Sequence, residues 1–387
     1  MDKSDKTDKI SITGNKLFLL IFFVVWGLLT VWNILTPVKE FSEAENRVLQ
    51  SFPKFSVNTL LSGKYIDNVN TFLNDQFVGR EYWVIGQTLM EYGLGKREVN
   101  EVYLGKNALL GHMLPANMAM TEANINGINA FAERYEIPTY VIIIPIATSV
   151  QREKMPVFAQ SWDEESYIAH ANDLFSDKVT PVPVYDVMRE HREEYIYYRT
   201  DHHWTTYGAY LAYNQLALVM SFPERQQEDF EISTVSDQFY GTHHSKTGFP
   251  LVSPDNIEVY SAGRVTDYKV FDGAKEIRYD SIYFEDYLNK KDKYSYFLGQ
   301  IQPYVTVYTA SDSGKKLIIF KDSYAHCMIP MLLDDYSEIR LVDLRFIDKF
   351  DFNKILNISD YDEALFLYNT DVFSHQIGAG KLLYDES

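Results

Sequence analysis

The spacing of apolar positions divides the chain into three stretches. Residues 1–16 are polar and carry Lys3, Lys6, Lys9 and Lys16, and residues 17–35 then run without a charge, apolar on every side. A helix needs about 20 such residues to cross a bilayer. The run therefore predicts a membrane-spanning helix over 17–36, with Lys16 and Trp32 as interface anchors. The preceding lysines predict a cytoplasmic N-terminus and put everything after Thr36 outside the cell. The run's length, with no small-x-small site close behind it, favours an anchor over a cleaved signal peptide. Across 37–100 the spacing changes to that of an amphipathic helix (Leu60, Leu61, Tyr65, Val69, Phe72, Leu73, Phe77), which predicts a juxtamembrane helical region.

From about residue 101 strand and helix patterns alternate. Residues 103–110 predict a hairpin turning at 105–107, residues 120–135 a helix, and 139–146 a buried strand ending near Pro145. A β-rich run at 182–187 follows, then an amphipathic helix over 207–220 that Pro223 closes. Further strands are expected at 316–321, 338–344 and 363–368. Such a series predicts an α/β domain over 101–387, its mostly parallel sheet covered on both faces. Residues 224–310 show no clear period and are rich in tyrosine; we expect an irregular insertion or substrate-facing lobe there.

Composition narrows the functional classes. The net charge of −18 argues against nucleic-acid binding and against docking on an anionic lipid surface. A single cysteine, Cys327, excludes internal disulfides and a Cys-built zinc site. The 29 Tyr and 24 Phe suggest surfaces that stack on sugars or partners.

Candidate chemistry concentrates in two places. Asp201-His202-His203-Trp204 packs an acid, two imidazoles and an indole together in a chain with only 9 His and 5 Trp. In an extended backbone Asp201 and His203 share a face while His202 points away. A carboxylate beside an imidazole fixes its tautomer and stabilises its charged form, as a general base requires. Ser323 lies just past the apolar run 317–320, at the carboxyl end of an expected strand and before a helix expected from Tyr324. Open α/β folds place their sites at such edges, although a serine there also serves as a plain helix N-cap. Adjacent histidines point apart, so no metal is expected at His202 and His203. The His326–Cys327 pair beside Ser323 reads as packing, His243-His244 reads as a polar loop, and no cofactor is expected.

Together these segments resemble the bacterial DHHW proteins, relatives of the alginate O-acetylation proteins of the SGNH hydrolase superfamily. Glu45-Asn46-Arg47 and residues 75–80 are similar to the family's segment after its anchor, residues 198–208 to its central block, and Asp322-Ser323-Tyr324, Pro330 and 339–345 to its C-terminal block. The resemblance implies an SGNH hydrolase-like three-layer α/β/α domain with Asp201, His203 and Ser323 as a catalytic triad. Acid and base precede the serine, the reverse of ordinary SGNH esterases, which implies a permuted order. Lys321 stands where a glycine would precede Asp-Ser and departs from the oxyanion-hole pattern. The implied activity is O-acetyl transfer to a surface polysaccharide or cell-wall polymer, with a membrane-bound acyltransferase partner as acetyl donor. Arg199, Trp204 and Tyr324 are the candidate substrate contacts. Two other readings stay open at this point: an acetylesterase using the same triad with water as acceptor, and a non-catalytic glycan-binding surface protein on the same scaffold.

Overall fold

The computed structural model describes residues 3–272, 275–347 and 357–384. It divides into two compact units, one up to Met90 and the other from Glu91, so the division falls earlier than the boundary near residue 100 expected from periodicity.

The N-terminal unit begins with a helix, Lys3–Leu35, whose segment Asn15–Leu35 is unburied and long and apolar enough to cross a membrane. Short helices at Val57–Leu61 and Lys64–Asp75 follow, and a third begins at Arg80. Here the polar segments around Glu45, Arg47 and residues 75–80 have a structural role. Arg47 grips the Asp75 carboxylate through two nitrogens at 2.6 and 3.1 Å, while Glu45 accepts from Arg47 at 2.8 Å and from Arg80 at 2.6 Å. Asp75 also accepts from the Gln50 amide at 2.8 Å. A two-pronged guanidinium–carboxylate contact fixes direction as well as distance, so this network sets how the chain after the apolar helix folds back on itself.

The larger unit is built on an eight-stranded sheet. In chain order its strands are β1 (Thr139–Ile144), β2 (Val179–Pro181), β3 (Val265–Asp272), β4 (Lys275–Tyr279), β5 (Tyr304–Thr309), β6 (Lys316–Lys321), β7 (Glu338–Val342) and β8 (Glu363–Asn369). Across the sheet the order is β4-β3-β5-β7-β6-β8-β1-β2. The five strands from β7 to β2 are parallel, and β5, β3 and β4 continue the sheet antiparallel. The fold is mixed α/β with a large, mostly parallel sheet.

Because neighbouring residues of a strand face opposite ways, each apolar run feeds two cores. Leu317, Ile319, Leu365 and Leu367 pack on one face with the helix Thr206–Met220. Ile318, Phe320, Ala364 and Phe366 pack on the other with Ile125, Ile128 and Phe131 of the helix Met118–Tyr135. Phe320 stacks on Phe366 at 4.6 Å and meets Phe131 edge-on at 5.2 Å. Such aromatic pairs add about 0.5–1.5 kcal/mol each beyond area burial.

Three expectations need correction. The run at 182–187 is not a strand: β2 stops at Pro181 and a helix, Tyr185–Glu190, begins. Pro181 and Pro183 have no N–H to offer a ladder, and the amide of Val182 makes one last bond to the Val141 carbonyl at 2.8 Å. Residues 224–310 are not irregular either. They contain an antiparallel pair, Glu231–Phe239 with Asp255–Ser261, together with β3, β4 and β5. Their alternation mixes tyrosine, threonine and charge, which hides a strand period near a sheet edge. Finally, the segment after Ser323 forms two 3-10 turns, Ser323–Cys327 and Ile329–Leu332, in place of the expected helix. Pro330, lacking an amide hydrogen, sits at the start of the second.

Candidate active site

The Asp201–His203 segment is the tip of a narrow loop. Tyr197 and Trp204 pair across it as an antiparallel bridge, with Tyr198 N–H donating to the His203 carbonyl at 3.2 Å and Thr205 N–H to the Ile196 carbonyl at 3.0 Å. The buried Asp255 carboxylate holds the loop from inside. It accepts from the backbone amides of Arg199 (2.7 Å) and Thr200 (2.8 Å) and from the hydroxyls of Thr200 (2.5 Å) and Tyr195 (2.6 Å).

At the tip, Asp201 Oδ1 lies 2.6 Å from His203 Nδ1 and accepts from the His203 amide at 3.0 Å. Its other oxygen accepts from the Thr242 amide at 2.7 Å. Asp201 is fully buried, which opposes ionisation. The His202 and His203 imidazoles and the Thr242 amide outweigh that burial and hold its carboxyl well below the usual range. The backbone is bent here, not extended, so the expected divergence of the two histidines does not occur: their rings lie side by side, centroids 3.9 Å apart.

Ser323 arrives from the sheet. Beyond β6 the amide of Asp322 still bonds the Leu367 carbonyl of β8 at 3.2 Å. The Asp322 side chain accepts from the Asn369 amide (2.7 Å), Asn369 Nδ2 (2.8 Å) and the Tyr324 amide (2.8 Å). This fixes the turn that presents Ser323, whose Oγ lies 2.8 Å from His203 Nε2. Asp201, His203 and Ser323 thus form one continuous hydrogen-bonded chain, with 120 positions of sequence between His203 and Ser323.

The remaining expected site residues brace this chain. Trp204 is completely buried and donates from Nε1 to the Tyr324 carbonyl at 2.9 Å, and the buried Tyr324 donates its hydroxyl to the His202 carbonyl. Both tie the two loops together and have almost no surface left for a substrate. The Arg199 guanidinium lies over the Tyr195 ring at 4.3 Å and donates to the Pro254 carbonyl at 3.2 Å, so it serves the loop's scaffold. Lys321, in place of glycine, is buried and bonds His326 Nε2 at 2.7 Å; burial pushes its ammonium down to about 8. Cys327 is buried, which pushes its thiol up to about 12 and keeps it protonated. Arg345 pairs with Asp343 through contacts of 2.7 and 2.9 Å.

Asp201, His202 and His203 offer ligand atoms within 4.8 Å of one another. Both His203 nitrogens are already engaged, by Asp201 and Ser323, so an ion there would have to break that chain.

Three contributors escaped the sequence reading. Tyr294, from the stretch read as irregular, stacks on His203 with centroids 3.9 Å apart and planes 15° apart, and donates to the Ser323 carbonyl at 3.1 Å. Gly241 leaves room for Asp201: a Cβ there would stand 2.3 Å from the Asp201 side chain. Thr242 opens a short helix, Thr242–Thr247, that contains His243 and His244, so this segment is not the polar loop expected. Only the glycine immediately before Thr242 could have hinted at a close approach.

The description "DHHW protein" belongs to a family model that matches residues 123–342, more than half of the chain. The chain belongs to the DHHW family. Among solved structures this DHHW protein is similar to a DHHW family protein from Eubacterium siraeum, with 24% identity, 74% of this chain and 96% of that one covered, and a TM-score of 0.62. It is also similar to Bacillus cereus PatB1, with 16% identity, 71% and 98% coverage and a TM-score of 0.61. The same protein with a sulfonyl adduct gives 16%, 72% and 97%, and 0.59. A looser likeness is to the O-acetyltransferase domain of Pseudomonas putida AlgJ, at 14%, 71% and 93%, and 0.47. No curated protein matches the sequence.

Proposed function

We propose that Asp201, His203 and Ser323 are a catalytic triad for acyl transfer, in a domain of permuted SGNH type. The observation that carries this reading is the chain of two short hydrogen bonds, 2.6 Å from Asp201 to His203 and 2.8 Å from His203 to Ser323. A serine hydroxyl is a weak nucleophile until a base takes its proton. As Ser323 Oγ attacks the acyl carbonyl, His203 Nε2 accepts that proton, and the Asp201 carboxylate stabilises the imidazolium and holds its tautomer. The proton then passes to the departing donor oxygen, leaving an acyl-serine ester. An incoming sugar hydroxyl surrenders its proton to the same nitrogen and attacks the ester, and that proton passes to the departing Ser323 Oγ, which restores the free serine.

The acyl group we assign is acetyl and the acceptor a hydroxyl of a surface polysaccharide or cell-wall polymer, following the resemblance of the blocks around Asp201 and Ser323. The apolar helix Asn15–Leu35 is read as a signal anchor with the N-terminus in the cytoplasm. The catalytic unit then works outside the cell, fed by a membrane-bound acyltransferase.

The test is turnover of p-nitrophenyl acetate, and labelling by a sulfonyl fluoride, with the wild-type chain and Ser323→Ala. Loss of both in the variant is expected, together with loss of polymer acetylation in cells. Unchanged polymer acetylation with Ser323→Ala would sink the reading. Release of free acetate, with no transfer to added glycan, would make the protein an esterase.

A further inference from the structure

A second site lies outside the triad. A cleft of about 940 Å³ opens between the hairpin of Val102–Leu104 with Leu109–Gly111 and the chain following Lys154. Its lining carries four cations, Lys96, Arg97, Lys106 and Lys154, against one acid, Glu98, in a chain whose net charge is −18. Two of the cations have local partners: Lys96 pairs with Glu91 at 2.6 Å, and Arg97 lies over the Tyr92 ring at 4.0 Å. Lys106 and Lys154 pair with no carboxylate among the described residues. Lys154 is half-buried, and desolvation lowers its pKa, so an arriving anion would relieve an existing cost. At the rim Phe158 and Val157 are 96% and 92% exposed. A bare aromatic face beside such a cleft offers a flat apolar surface of the kind that marks binding grooves.

Unpaired ammonium groups, a bare aromatic rim and a volume suited to several sugar units point to one ligand chemistry. We infer that this cleft binds an anionic glycan segment, through its carboxylate or phosphate groups on Lys106 and Lys154 and a sugar face on Phe158. A small anion would leave the aromatic rim unused, and a neutral glycan would leave two cations uncompensated. The cleft is tied to the triad loop by the backbone. Leu109 N–H donates to the Arg199 carbonyl at 2.7 Å, and Lys106 N–H donates to the Lys154 carbonyl at 2.8 Å. The inference stands whether or not Ser323 reacts.

The experiment uses the full chain in detergent, carrying Ser323→Ala so that no turnover interferes. Binding is measured by calorimetry to a galacturonate oligosaccharide, to poly(glycerol phosphate) and to a neutral glucose oligosaccharide. At least one anionic probe should bind, more weakly as salt rises. The neutral probe should not. Lys106→Gln with Lys154→Gln should weaken that binding by at least about tenfold, the scale of one lost charge-assisted contact. Phe158→Ser should weaken it by a smaller factor. Which anionic probe binds identifies the source of the charge, carboxylate or phosphate. Absence of binding to both anionic probes, or equal binding by the double-glutamine variant, overturns the inference.

Discussion

The Tyr294 ring lies flat on the His203 imidazole, centroids 3.9 Å apart, so a residue 91 positions downstream of the motif histidine determines where its ring sits. The same tyrosine reaches the Ser323 carbonyl through its hydroxyl. One side chain therefore holds His203 and Ser323 in register.

Removing that ring should cost rate more than binding. Tyr294→Ala frees one face of the imidazole, and misplacing a base by an ångström costs on the order of 10²-fold. We expect kcat for p-nitrophenyl acetate to fall by about that factor, with KM changed less. Tyr294→Phe keeps the stack and loses only the bond to the Ser323 carbonyl, so its loss should stay below about tenfold. Equal losses in the two variants would assign the effect to the hydroxyl, not to the stack.

Gly241 is required by proximity. A methyl group there would stand 2.3 Å from Asp201 Cβ and Oδ2, so Gly241→Ala must push the carboxylate away from His203. Activity should fall by at least about 10²-fold. Steady-state turnover measured beside the circular-dichroism spectrum checks this; normal activity would mean that the loop yields freely.

Glu164 sets a pH dependence of stability. It is completely buried, which pushes its carboxyl up to about 8 against the pull of the Thr370 and Ser149 hydroxyls and the Ile146 amide. Between the unfolded value near 4.5 and about 8, the unfolded chain releases this proton while the folded chain keeps it. Stability therefore falls as pH rises through that window and levels off above it. Glu164→Gln, which stays neutral, should raise the melting temperature at pH 8 far more than at pH 5. The difference should correspond to about 2–5 kcal/mol. Equal melting shifts at both pH values would refute the assignment.

Asp255 links stability to the site. Its carboxylate satisfies two backbone amides and two hydroxyls beneath the triad loop. Asp255→Ala leaves those buried donors unpaired, at about 1–3 kcal/mol for each that finds no other partner. It should lower both melting temperature and activity. Ser323→Ala should lower activity alone, and differential scanning calorimetry beside the turnover assay separates the two.

Much of this architecture is written in local pattern. The apolar run 17–35, the hairpin turning at 105–107 and the strands β1, β6, β7 and β8 follow from periods of a few residues, because burial on one or both faces repeats with the backbone geometry. The pairing of Asp201 with His203 is local too, since a spacing of two keeps both on one short loop. Tertiary structure decided the rest. The contact between His203 and Ser323 depends on β6 lying inside the sheet and on the Asp255 brace, neither of which leaves a periodic signal. Tyr294 and the Asn369 clamp on Asp322 come from segments whose own patterns say nothing of the site, and strands β3 and β4, at one end of the sheet, hide behind mixed polar alternation. Local sequence sets which face of each element is apolar; which elements meet is chosen by the packing of all of them at once.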